Sequence, residues 1–150
     1  MGSTLTNLMY HIVFSTKGRE RSITPEIKNE LYQYMIGIIG KEGGLVLQIG
    51  GMPDHIHIVI KLKPIHSLSE IVKKIKANSS KWLNKSNRLP FKFSWQEGYG
   101  AFTASESQIQ AIIRYVKEQE NHHRRMPFKD EFIRILKLNK VEFDEKLLWK

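Results

Sequence analysis

Along this chain, apolar residues first alternate with polar ones and then recur at intervals of three and four, so the pattern predicts strands and helices by turns. Residues 5–16 read as a first strand, with Tyr10, Ile12 and Phe14 on one face. The charged loop Lys17-Gly18-Arg19-Glu20-Arg21 follows. Thr24 before Pro25 marks a helix start, because proline at the first helical position gives up only an N–H that would have no partner inside the helix. Ile27, Leu31, Tyr34, Met35 and Ile38 then recur at helical spacing until Gly43-Gly44. Residues 45–49 predict a second strand, and residues 50–54 a tight hairpin into a third, His55 to Ile60, rich in β-branched residues. Pro64 closes that strand. Ser67-Leu68-Ser69-Glu70 is a capping box opening a second helix, with Leu68, Val72, Ile75 and Ser79 on one stripe. Residues 91–95 alternate like a strand that residues 98–102 continue or bulge. A second capping box, Ser105-Glu106-Ser107-Gln108, opens a helix through Ile109, Ile112, Ile113 and Val116 to about Asn121. After Pro127, residues 128–140 predict a short helix carrying Phe132, Ile135 and Leu136, for docking or dimer contacts.

The order strand, helix, strand, strand, helix, strand is the ferredoxin-like βαββαβ arrangement, an α+β fold with an antiparallel sheet. In that topology the first and third strands form the middle pair. The two crossover helices cover one face of the sheet, and the tyrosine-bearing helix after residue 105 is left for the other. No repeat, low-complexity tract or linker interrupts the pattern, so a single domain over residues 1–150 is expected.

Charge narrows the class of partner. The sequence holds 24 Lys and Arg against 15 Asp and Glu, a net charge of +9 with histidines neutral. Such an excess favours a polyanion. Lys73, Lys74, Lys76, Lys81 and Lys85 surround the second helix, and no acidic residue occurs from Ile71 to Phe93. A solvated helix face accounts for lysines of this kind, but their one-sidedness points to phosphate contacts. With 0 Cys, disulfides, thiolate metal sites and cysteine nucleophiles are excluded. No apolar run approaches transmembrane length and no signal peptide is visible, so no membrane partner and a cytoplasmic location are expected.

Candidate chemistry begins with His55 and His57. Two residues apart on a strand, they project from one face while Ile56, Ile58 and Ile60 project into the core. Two imidazoles so placed are close enough to share one metal ion, although a His-x-His pair in a strand is often accidental. A histidine-triad hydrolase would need a third histidine two residues on, where this chain has Val59. On the later helix, Tyr115 and Gln119 are four apart and share a face. Read alone they are ordinary packing and helix-forming residues. Joined to the histidines they complete a set in which His55, His57 and the Gln119 amide oxygen hold a divalent ion with positions open for phosphate oxygens. Tyr115 is then a candidate nucleophile, activated by the nearby cation. His11 reads as structural and Asp54 as a turn residue. His122 shares the tyrosine face, and His123, Arg124 and Arg125 complement a helix end. Trp95, Tyr99 and Phe102 are candidates for base stacking, with core packing the safer assignment.

At this point the chain resembles the single-tyrosine HUH transposases of the insertion-sequence 200/605 type, including their repeat-associated relatives. The resemblance rests on Tyr10-His11-Ile12-Val13-Phe14, Asp54-His55-Ile56-His57, residues 95–102 and Tyr115-Val116-Lys117-Glu118-Gln119 in the same order, with the tail of residues 143–149. It implies a metal-dependent enzyme that cuts and rejoins single-stranded DNA at hairpin-marked element ends through a 5′-phosphotyrosine. It further implies Mg2+ or Mn2+ on His55, His57 and Gln119, with Tyr115 as nucleophile. Lys17, Arg19, Arg21, Lys73, Lys74, Lys76 and Lys81 are then expected phosphate contacts for a DNA hairpin. A homodimer is expected, in some relatives with the tyrosine helix serving the partner's histidines. The alternatives are a non-catalytic hairpin-binding protein that retains the fold and a metal-dependent hydrolase of small phosphoesters.

Overall fold

Two central strands buried on both faces organise a four-stranded antiparallel sheet of order β2-β3-β1-β4, formed by β1 (Leu8–Ser15), β2 (Leu45–Met52), β3 (His55–Leu62) and β4 (Gly100–Ala104). This computed structural model describes residues 2–120 and 126–150. Among them are five α-helices: α1 (Pro25–Lys41), α2 (Leu68–Lys85), α3 (Ile109–Lys117), α4 (Phe128–Leu138) and α5 (Glu145–Leu148). A 3-10 turn, Lys17–Arg19, lies in the charged loop. The ferredoxin-like order is as expected, with β1 and β3 at the centre.

The two faces of the sheet carry different chemistry. Ile12 and Phe14 of β1 and Ile56, Ile58 and Ile60 of β3 point into the main core against Ile27, Leu31, Met35 and Ile39 of α1 and Ile71, Val72, Ile75 and Leu83 of α2. Burying such aliphatic side chains contributes about 1.5–3 kcal/mol each. The opposite face carries His11, Val13, His55 and His57, and α3 and α4 cover it. Met9 and Val59 pack against Ile109 and Val116 of α3, and Val13 and Phe102 pack against Phe128, Phe132 and Leu136 of α4. The late helix anticipated for docking or dimer contacts therefore docks on its own sheet.

Helix starts follow local chemistry where a side chain can reach. Thr24 precedes Pro25 at the start of α1, and the Ser67 side chain accepts from the Glu70 N–H at the start of α2. Gly43 takes φ +86 just past α1, a conformation that glycine adopts without steric cost.

Two expectations are corrected. Residues 91–95 are not a strand of the sheet. Asn84 of α2 takes up both backbone groups of Phe93, accepting from its N–H at 2.7 Å and donating to its carbonyl at 3.0 Å. The segment meets the end of β1 through an isolated bridge, Thr16 to Trp95. Trp95 is buried, with its indole N–H donating to Ser79 Oγ at 2.9 Å. The fourth strand is Gly100–Ala104. The second capping box also does not form: Ser105 and Ser107 pair their hydroxyls, and α3 starts after Gln108 with no side-chain cap.

Candidate active site

Beta alternation sets His55 and His57 on one face, and both are fully buried. Each ring is oriented through its Nδ1 atom. His55 Nδ1–H donates to Asp54 Oδ1 at 2.7 Å, which turns Nε2 inward. His57 Nδ1 lies 2.8 Å from His11 Nε2, its neighbour on the adjacent strand, and the rings stack with centroids 5.0 Å apart. Asp54 and His11, read from sequence as a turn residue and a structural residue, therefore also aim the histidine pair. A carboxylate or a second polar group behind a ligating histidine fixes which nitrogen is free for a metal. The His11–His57 contact accommodates either tautomer. When His57 donates through Nε2, its Nδ1 accepts from His11; when Nε2 gives its lone pair to an ion, Nδ1–H donates to His11.

The tyrosine helix, expected to reach about Asn121, ends at Lys117 with Glu118 outside helical geometry. Tyr115 in its last turn and Gln119 just past its end nevertheless both bring their side chains to this face. Gln119 is 1% exposed, and its Oε1 lies 3.0 Å from His55 Nε2. Tyr115 sits edge-on to His57, with ring centroids 5.8 Å apart. All three predicted ligands and the predicted nucleophile thus converge within one chain.

A fifth residue, Glu131, joins them. It belongs to the first turn of α4 and is 2% exposed. Its Oε1 lies 3.0 Å from His57 Nε2 and 3.4 Å from His55 Nε2. Its Oε2 accepts from the Tyr115 hydroxyl and, at 3.1 Å, from Gln119 Nε2. Ligand atoms of His55, His57 and Glu131 lie within 4.8 Å of one another. Sequence reading passed over Glu131, although its position held a clue. It falls at i+3 from Phe128 and next to Phe132, so a 3.6-residue period puts the carboxylate on the buried stripe of the helix. Acidic residues are rarely buried without a partner.

Electrostatics matches the geometry. Burial lowers His55, but the hydrogen bonds and charges of Asp54 and Glu131 outweigh it and raise its pKa to about 9. His11 is driven down to about 3 by burial and by His57. Burial, then Glu131, lift Tyr115 above its ordinary value of 10.0. The donor set suits a divalent ion: two imidazole nitrogens, an amide oxygen and a carboxylate oxygen, all in one water-poor recess.

The predicted phosphate contacts are placed elsewhere and unequally. Lys73, Lys74, Lys76 and Lys81 lie on α2, across the sheet from the histidines. Lys17, Arg21, Lys73 and Lys81 are exposed. Lys74 pairs with Glu42 at 3.0 Å. Lys76 donates to the carbonyls of Gln96, Glu97 and Gly98, and burial lowers its pKa to about 8. Arg19 lies over the Trp149 ring at 5.3 Å. Among the stacking candidates Phe102 is buried and Tyr99 is 38% exposed. His122, His123, Arg124 and Arg125 lie outside the described residues.

This constellation can be set beside known proteins. The model of the family described as "Transposase IS200 like" matches residues 4–119. The chain belongs to the IS200-like transposase family. It is 24% identical over 119 residues to the ISDra2 transposase TnpA of Deinococcus radiodurans, covering 76% of this chain and 85% of that protein. It is 26% identical over 127 residues to the transposase of insertion sequence element IS200 of Salmonella typhimurium, covering 80% and 84%. Two solved structures share the fold. A Deinococcus radiodurans R1 protein described as a transposase matches with a TM-score of 0.65 at 23% identity, over 79% of this chain and 95% of that one. A REP-associated tyrosine transposase bound to a REP hairpin matches with a TM-score of 0.63 at 12% identity, over 82% and 72%. In this IS200-like transposase the family match ends at Gln119, so Glu131 and α4 lie beyond it. No helix among the described residues is long and apolar enough to cross a membrane.

Proposed function

We propose that this transposase cleaves and rejoins single-stranded DNA beside a hairpin, with Tyr115 as nucleophile and a Mg2+ or Mn2+ ion held by His55, His57 and Gln119. The observation that carries the reading is the convergence of a buried histidine pair, Gln119 and Tyr115 on one sheet face. The Tyr115 oxygen attacks phosphorus, a phosphotyrosine ester forms, and the bond to the 3′ oxygen breaks. The phenolic proton ends on the released 3′ hydroxyl. Rejoining is the reverse, so the ester conserves the bond energy and no nucleotide cofactor is consumed.

When bound, the ion would polarise a phosphate oxygen and offset the burial and negative charge that keep Tyr115 protonated. Asp54 and His11 hold the imidazoles in orientation. The β-sheet and the helix packing exclude bulk water from the recess. Exposed Lys17, Arg21, Lys73 and Lys81 serve as contacts for the phosphates of a hairpin stem, a surface apart from the chemistry. The hairpin held by the REP-associated relative supports that partner. We place the activity in the cytoplasm, in a single domain over residues 1–150.

The test is a covalent adduct. With labelled hairpin-bearing single-stranded DNA and Mn2+, the protein should yield a species that survives denaturation. Tyr115→Phe should abolish it with hairpin binding retained, and His57→Ala should reduce cleavage by about a hundredfold or more. An adduct persisting undiminished in Tyr115→Phe would overturn the nucleophile assignment.

A further inference from the structure

Glu131 is a carboxylate with almost no access to water, and such a group persists in a fold only when its charge is matched. The groups its two oxygens meet include the two histidine Nε2 atoms, the Gln119 amide and the Tyr115 hydroxyl. The apolar residues of the same stripe, Phe128, Phe132 and Leu136, drive α4 onto the sheet and carry Glu131 with them. Phe128 stacks directly on His55, with ring centroids 4.3 Å apart. The carboxylate is therefore set in place by packing on both of its flanks.

Donor spacing shows what this carboxylate can do. In an octahedral site with metal–oxygen bonds near 2.1 Å, neighbouring ligands lie roughly 3.0 Å apart. His57 Nε2 to Glu131 Oε1 is 3.0 Å, His55 Nε2 to Glu131 Oε1 is 3.4 Å, and His55 Nε2 to Gln119 Oε1 is 3.0 Å. Those are the spacings of adjacent vertices. A carboxylate oxygen is also a harder donor than the Gln119 amide, and suits Mg2+ or Mn2+ better.

We propose that Glu131 is a fourth protein ligand of the ion and that its second oxygen positions the Tyr115 hydroxyl. A helix beyond the family-matched segment then completes the centre and joins the nucleophile to it. Four protein donors leave two of six positions for phosphate oxygens. This rests on the metal-dependent reading above, and the experiment separates the two.

Mn2+ binding is measured without DNA, from the loss of the free-ion paramagnetic resonance signal, for the whole chain and for Glu131→Gln, His57→Ala and Tyr115→Phe. Glu131→Gln should weaken binding by about tenfold or more, and Tyr115→Phe should change it by less than about twofold. Equal affinity in Glu131→Gln and the unaltered chain, with His57→Ala impaired, would overturn the ligand role alone. An unaltered chain that takes up no Mn2+ would overturn the metal-dependent reading together with it. Positioning has its own readout. At saturating Mn2+, adduct formation by Glu131→Gln should remain at least about tenfold slow, and recovery to the unaltered rate would refute that role. Crystals of the unaltered protein soaked in Mn2+ give a result independent of how any variant folds. The anomalous peak should lie within bonding distance of a Glu131 oxygen, and a peak bonded only to His55, His57 and Gln119 would refute the ligand role.

Discussion

His11 and His55 lie on the same sheet face yet titrate in opposite directions, and the cause is the company each keeps. His55 has Asp54 on one nitrogen and Gln119 and Glu131 near the other. His11 has a second imidazole, His57, and an apolar neighbour, Phe102. The pKa of His55, about 9, exceeds its unfolded value of about 6.5. Its contribution to stability is therefore complete below pH 6.5 and disappears as pH rises through 9. The pKa of His11, about 3, lies below the unfolded value, so the unfolded chain takes up a proton that the folded one refuses. Stability accordingly falls as pH drops below 6.5. Lys76, whose pKa of about 8 lies below its unfolded value, gains stability over the alkaline range and opposes the loss from His55. Denaturant unfolding of metal-free Lys76→Met should therefore isolate the two histidines, with greatest stability near pH 6.5 and a loss on the order of 2–3 kcal/mol by pH 9.5. Asp54→Asn should flatten that alkaline limb. An unchanged midpoint between pH 6.5 and 9.5 in Lys76→Met would refute the assignment to His55.

At the scale of elements, the site depends on how closely α3 can approach the edge of the sheet. Gly50 of β2 pairs with His57, and a Cβ there would lie 2.3 Å from the Val116 carbonyl oxygen. Val116 stands between Tyr115 and Gln119, so lifting α3 moves both. Gly50→Ala should destabilise the fold by about 1–3 kcal/mol through overpacking, and should also weaken Mn2+ binding. Gly37→Ala on α1 meets nothing within 4 Å and should stabilise by about 0.5–1 kcal/mol. A Gly50→Ala protein as stable as the parent would refute the close approach. The same element level separates what could be read from the sequence and what could not. Period-two and period-3.6 patterns locate β1, β3, α1 and α2, because their apolar faces meet one large core. His55 and His57 share a face by the strand period alone, whereas Gln119 lies past the end of α3 at Lys117 and reaches the site beside Tyr115 through tertiary contact with His55 and Glu131. Residues 91–95 alternate like a strand, but the backbone of Phe93 bonds to Asn84, a choice made by tertiary contact. Glu131 is invisible to any local rule that matches it with a partner, because the groups it meets are remote in sequence and only the docking of α4 brings them together.

At the scale of the molecule, two surfaces divide the work. One face of the sheet, under α3 and α4, holds the buried polar site, and the other carries the core with α2 and its exposed lysines outside. A cleft of about 700 Å³ between α1, β2 and α3 opens beside Gln119 and is lined by Lys28, Arg114 and Lys117 as well as Glu118 and Glu120. Tyr115, Gln119, Glu131 and the histidines meet within one chain, in contrast to an arrangement in which a partner lends its tyrosine helix. The consequence is testable by mixing two inactive variants, Tyr115→Phe and His57→Ala, under conditions that let subunits exchange. If each chain keeps its own Tyr115 beside its own His57, every site in the mixture lacks one group and no adduct forms. If helices were exchanged across a symmetric dimer, half the dimers would be mixed and each would hold one intact site, restoring roughly a quarter of the parent activity. We expect no restoration, because α3 is bound to its own sheet through Met9, Val59, Ile109 and Val116, and through Gly50, which leaves no space for a side chain between them. Recovery near a quarter would mean that the tyrosine helix leaves that packing to serve a partner.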